Sequence, residues 1–131
     1  MRVYLCRHAQ AVSSDPDELR PLTPGGCEQA RALAVSIAAL PEPPVLVLTS
    51  PLLRARQTAE EIARATGAPL RVEPVLAPGA SAEALAAAVA GETGPIATVG
   101  HQPDCSEIVL ALTGTDPGFA VASMAAVELS A

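Results

Sequence analysis

Lysine and tryptophan are absent from this 131-residue chain, and its only aromatic side chains are Tyr4 and Phe119. All eight basic residues are arginine. Without lysine there is no Schiff-base chemistry, and no Walker-type phosphate loop can form. A net charge of -6 and the lack of stacking rings argue against a general nucleic-acid binder. Long hydrophobic runs are missing, so no segment reads as membrane-spanning, and the N-terminus has no signal-peptide pattern. Cys6, Cys27 and Cys105 are odd in number and lack CxxC spacing. That argues against a disulfide framework and for a reducing compartment. Together these absences describe a cytoplasmic protein that engages neither membrane nor nucleic acid.

What is present is small aliphatic packing. Half of the residues are apolar, mainly Ala, Val and Leu, and 17% are charged. This length and composition suit one globular domain spanning residues 1–131. Arg2 to Cys6 reads as a first strand, and the polar stretch Ser13 to Leu22 as a loop. Thr23 and Pro24 are an N-cap and a first-turn proline for a helix reaching about Leu40, with Ala30, Leu33, Ala34 and Ile37 on its buried face. Val45 to Thr49 is apolar throughout, as a strand covered on both faces should be. Ser50-Pro51 reads as a second cap-and-proline start, with the helix running to about Thr66 and Gly67 as its C-terminal cap. Leu70 to Glu73 is a short strand, Ser81 caps a third helix, and Ile96 to Val99 is a fourth strand. A helix over about Asp104 to Leu112 and a last strand within Val121 to Leu129 complete the chain. The alternation predicts a three-layer α/β/α domain with a mainly parallel central sheet.

Ligands of such sheets collect beyond the carboxyl ends of the strands. Arg7-His8 follows the first predicted strand. Ser50, with Arg54 one turn on, follows the second, and Gly100-His101 follows the fourth. Both histidines and two of the eight arginines therefore fall on one edge. Guanidinium forks and helix N-termini suit a phosphoryl anion. A neutral imidazole among them is a nucleophile for phosphorus, with the guanidiniums spreading the transferring charge. Other chemistries lack their residues. A cysteine phosphatase needs Arg six positions after its Cys, where this chain has Val12, Leu33 and Ala111. Dinucleotide GxGxxG, hydrolase GxSxG and zinc HxH or HExxH spacings are all missing.

"LCRHAQA" resembles the Arg-His-Gly signature of the histidine phosphatase superfamily, the phosphoglycerate-mutase-like fold. "TSPLLRARQTAEEI" is similar to its second motif and "VGHQP" to the segment of its second histidine. The small size and "RPLTPGGCEQA" resemble the branch of SixA-type phosphohistidine phosphatases. The resemblance implies that His8 is the nucleophile, forming a phosphohistidine intermediate. It implies that Arg7, Arg54 and His101 surround the phosphoryl oxygens, with Ser50 and Arg20 as supporting substrate-binding residues and Arg20 in a loop able to close over the pocket. It also implies that neither metal nor cofactor is required.

Two departures stand out. Ala9 occupies the place of the usual Gly, which would be strained if the position needed a positive φ. Gln102 stands where an acid would follow His101, and the carboxylates available as an acid, Glu73, Glu83 and Asp104, read as solvated surface groups. A site without a positioned acid suits a phosphohistidine, whose P–N bond is labile once the ring is protonated, better than an alkyl ester. The expected partner is a phosphohistidine-bearing phosphotransfer or carrier protein. The alternatives are a small phosphoester substrate or a phospho-binding module without turnover.

Overall fold

The apolar run that opens the chain becomes β1 (Arg2–Arg7), and the computed structural model, which describes residues 1–130, places it near the middle of a five-stranded sheet. Along β1 the side chains alternate between two cores, as strand geometry requires. Val3 and Leu5 face one way; Tyr4 and Cys6 face the other. Both sides are covered, which is why the strand shows no polar alternation.

α1 (Pro24–Ala38) is capped by Thr23, whose Oγ1 accepts from the Gly26 amide at 2.8 Å. It buries Ala30, Leu33, Ala34 and Ile37. β2 (Leu46–Thr49) leads into α2 (Leu53–Thr66), which ends on Gly67 at φ +73 in the left-handed region. β3 (Leu70–Val72) is a short, exposed edge strand. A 3-10 turn over Pro74–Leu76 precedes α3 (Ala82–Val89), whose Ser81 cap accepts from the Ala84 amide at 3.1 Å. β4 (Ile96–Gly100), α4 (Asp104–Thr113) and β5 (Met124–Glu128) follow.

The strand order is β3-β2-β4-β1-β5. The first four strands are mutually parallel, and β5 runs antiparallel to β1. α1 and α2 pack together, and Leu33, Ile37, Ala59 and Ile62 form a core with Tyr4, Val47, Ala97 and Val99. Leu85, Val89, Ile108 and Val109 of α3 and α4 cover the other face through Val3, Leu5, Leu48 and Ile96. This is the expected three-layer α/β/α architecture. Because β1, β2 and β4 are parallel neighbours, their carboxyl ends open on one edge. Arg7 pairs with Gly100, and Thr49 with Val99.

One expectation is corrected. Ser50 does not cap α2; that helix starts at Leu53, with Leu52 as an N-cap that makes no side-chain bond. The Ser50 hydroxyl is drawn away by a partner on β4's exit.

Candidate active site

His8 leaves β1 with its amide donating to the Gly100 carbonyl at 3.1 Å, while its own carbonyl accepts from Ala122 at 3.1 Å. Its backbone is thus held from the end of β4 and from the turn before β5. The His8 Nδ1 lies 2.7 Å from the Ala9 carbonyl oxygen. A carbonyl only accepts, so Nδ1 carries the proton and Nε2 keeps its lone pair. Burial lowers the His8 pKa, and the charges of Arg54, Arg7 and Arg20 push it the same way against the Ala9 bond. The ring is therefore neutral near pH 7, with one free basic nitrogen.

Ala9 is compatible with this arrangement. Its φ is not positive; Ala122, at +52, is the non-glycine residue with that conformation among those described. The Ala9 amide donates to Thr58 Oγ1 at 3.0 Å, and its methyl is buried with Leu22 and Ala30. Thr58 in turn donates to the Arg54 carbonyl at 2.9 Å, so the loop after β1 is tied to the first turns of α2.

His101 stands across the edge, its ring centroid 5.2 Å from that of His8. Its Nε2 is 2.8 Å from Ser50 Oγ, which also accepts from the Leu52 amide at 3.2 Å. Ser50 is fully buried, so its hydroxyl proton needs an acceptor. Nε2 is the acceptor within reach among the described residues. That assignment leaves His101 with an N–H at Nδ1, and this atom is buried without a partner. Burial, then the proximity of His8 and Arg54, pushes the His101 pKa down to about 3.

Arg7 donates through Nη1 to the Phe119 carbonyl at 2.8 Å, and its Nε is also buried without a partner. Two unpaired buried donors on one edge are costly unless they meet an acceptor. Arg54 is only 6% exposed. It is not solvated, nor paired with a glutamate of its own helix; it bonds the Asp17 carbonyl (2.9 Å) and carboxylate (3.2 Å). Arg20 lies on the same loop, with Nε 2.7 Å from the Val12 carbonyl and Nη1 3.1 Å from Asp17.

The structure thus brings Arg7, His8, Ser50, Arg54 and His101 to one edge, with Arg20 joined to Arg54 through Asp17. Sequence reasoning missed Asp17, which sits in a 3-10 turn (Asp17–Leu19) with no periodic signal. It also misjudged Asp104. That carboxylate is 6% exposed and accepts from the Gly79 and Ala80 amides, at 2.8 and 3.1 Å. It pins the loop before α3 to the start of α4, three residues after His101. Gln102 likewise serves α4, accepting from the Ser106 amide at 2.9 Å. Cys6 and Cys105 are buried, and burial raises both thiols, Cys105 to about 12, so they are inert packing groups.

A neutral imidazole with a free nitrogen, a second neutral imidazole and convergent guanidiniums beyond a parallel sheet define an α/β enzyme of phosphoryl transfer. A sequence model of the histidine phosphatase superfamily (branch 1) matches residues 3–78. The chain belongs to that superfamily. Phosphohistidine phosphatase SixA of Escherichia coli (strain K12) is 31% identical, over 98% of this chain and 86% of that protein. A solved structure of the protein histidine phosphatase SixA complexed with tungstate superposes with a TM-score of 0.88 at 31% identity, covering 98% of this chain and 88% of that one. A mycobacterial glucosyl-3-phosphoglycerate phosphatase shares the fold, with a TM-score of 0.75 at 21% identity over 97% of this chain and 90% of that one.

Proposed function

We propose that residues 1–131 form one phosphohistidine phosphatase domain acting on a phosphorylated protein, with His8 as nucleophile. The observation that carries this reading is the His8 ring: neutral, its Nδ1 proton bound to the Ala9 carbonyl, its Nε2 free beside His101. His8 Nε2 attacks phosphorus and the substrate's P–N bond breaks, giving a phosphoryl group on His8. Arg7 Nε and His101 Nδ1–H, both without protein partners, donate to the phosphoryl oxygens. Arg54 adds its charge from the start of α2. Ser50 holds the His101 tautomer, and Arg20 flanks the entrance. Water then attacks the phosphorus, Nε2 recovers its electron pair, and phosphate leaves.

The tungstate bound by the SixA relative is a tetrahedral oxyanion, which agrees with a phosphoryl site here. The choice of a P–N over a P–O substrate rests on the carboxylates. Among the described residues none hydrogen-bonds either imidazole, and Asp104 is committed to two backbone amides. An alkoxide leaving group would lack a proton donor. Among the described residues no helix is long and apolar enough to cross a membrane, in keeping with action on a protein in aqueous solution.

The test is phosphate release from a histidine-phosphorylated phosphotransfer protein and, in parallel, from an aryl phosphate. Release from the first, with His8→Ala slower by at least ~10³-fold, is expected. Turnover of small esters alone would reassign the protein as a phosphomonoesterase.

A further inference from the structure

Among the described residues, Asp17 is the carboxylate bonded to arginines of this edge. Its Oδ2 is 3.2 Å from Arg54 Nη2 and its Oδ1 is 3.1 Å from Arg20 Nη1. Arg54 is buried beneath it, but the Asp17 side chain is 59% exposed. With Ser13, Ser14, Asp15 and Arg20 it lines an open cleft of about 450 Å³. Asp17 therefore stands between the buried Arg54 guanidinium and an open surface cleft.

The reaction proposed above leaves one requirement unmet. When the P–N bond breaks, the electron pair stays on the substrate ring. That ring departs as neutral imidazole only if its other nitrogen already carries a proton. Neither histidine of the site supplies one: His8 Nδ1–H is bound to Ala9, and both imidazoles are neutral. The proton has to arrive on the substrate, and something has to hold it there.

We propose that Asp17 contacts the substrate: its carboxylate accepts the distal N–H of the phosphorylated imidazole, keeps the leaving ring protonated, and so selects phosphohistidine over phosphate esters. This rests on the reading of His8 as nucleophile toward a phosphohistidine. The step balances without an external acid. The P–Nε2 bond to His8 forms, the substrate P–N bond breaks, and its pair remains on the ring. The distal proton stays in place, so the ring leaves neutral. The phosphoryl group meanwhile takes over the Arg54 Nη2 donor that the Asp17 carboxylate releases, while Arg54 Nη1 stays on the Asp17 backbone carbonyl and Arg20 holds the carboxylate. An ester offers Asp17 no N–H, so toward an ester the same negative charge only competes for Arg54. The two substrates should respond to loss of that charge in opposite directions.

The groups facing Asp17 are Arg20 on its own loop and Arg54 on α2; Asp15 shares the cleft, and His101 beyond β4 feels its charge. The Arg20 hydrogen bond, followed by the charge of Arg54, holds Asp17 below the ordinary carboxylate range. It is thus ionised at neutral and alkaline pH, where a bound N–H would otherwise be lost.

The experiment compares the full chain with Asp17→Asn and Asp15→Asn. The probes are a histidine-phosphorylated phosphotransfer protein and 4-nitrophenyl phosphate, followed from pH 5 to 9. Asp17→Asn should lower kcat/KM for the phosphohistidine about tenfold or more at pH 7 and move its alkaline limb about one pH unit lower. The aryl ester rate should hold or rise, and Asp15→Asn should change neither. An equal fall on both substrates, an unmoved alkaline limb, or a matching loss in Asp15→Asn overturns the assignment while leaving His8 as the nucleophile. A wild type inert toward phosphohistidine but active on the ester overturns the substrate reading itself, and the assignment falls with it.

Discussion

Acidification should destabilise this protein through His101, and the size of the effect follows from its burial. The ring is 3% exposed, and its pKa is pushed down to about 3 by burial and by the nearby charges. In the unfolded chain the same ring titrates at its ordinary value of about 6.5. Between those values the unfolded state binds a proton that the folded state refuses. Stability is therefore full above pH 6.5, falls as the pH drops, and levels off below about 3. Between pH 7 and 4.5 the loss from this one group is about 2.5 kcal/mol. Exposed carboxylates titrate in part of the same range, so the assay is a comparison. Urea unfolding of wild type and His101→Asn is followed at half-unit steps from pH 7.5 to 4.5. The variant starts less stable but should lose about 2–3 kcal/mol less across that range. Parallel curves for the two proteins would refute the placement of a neutral His101 in the core.

Three further outcomes are expected. Ser50→Ala leaves His101 Nε2 buried without its partner, which should cost about 1–3 kcal/mol of stability; it also frees the tautomer, so kcat should fall about tenfold, and 15N shifts of His101 in the wild type should show the proton on Nδ1. In Gly26→Ala the new Cβ would lie 2.0 Å from the Gln10 carbonyl oxygen, so α1 must shift from the loop after His8; denaturant unfolding should show a loss of about 3 kcal/mol, and wild-type stability would contradict the close approach. Ala122→Gly relieves a φ of +52 and should raise the denaturation midpoint by the equivalent of about 0.5–1 kcal/mol, whereas a lower midpoint would mean that the turn before β5 is unstrained.

The parts of the fold legible in sequence were those with local causes. β1, β2 and β4 are continuous apolar runs because both faces of each are covered, and α1 announces itself through Thr23 and Pro24. The placement of Arg7, His8, Arg54 and His101 on one edge followed from knowing where strands end. The failures are residues whose roles are set from far along the chain. Ser50 looks like a cap because Ser-Pro is a local signal; His101, brought beside it by the β2–β4 pairing, claims its hydroxyl instead. Asp104 reads as solvated until the loop holding Gly79 and Ala80 folds over it. Asp17 lies in an aperiodic loop, and the guanidiniums of Arg54 and Arg20 give it a place. Ala9 raised a doubt about backbone strain that the observed φ removes.

The order of the strands also dictates when this enzyme can first exist. A ribosome delivers β1 with Arg7 and His8 at once, and β2 and α2 with Ser50 and Arg54 soon after. In the finished sheet those two strands are not neighbours, because β4 occupies the slot between them. Until most of the chain has emerged, that slot cannot be filled. A chain that stops short of β4 therefore holds Arg7, His8 and Arg54 without His101, and without the sheet edge on which they converge. The edge that joins Arg7 and His8 to Ser50 and Arg54 thus depends on β4, the strand that also brings His101 to it, and is completed only by the later segment that holds Arg7 and His8 through Phe119 and Ala122.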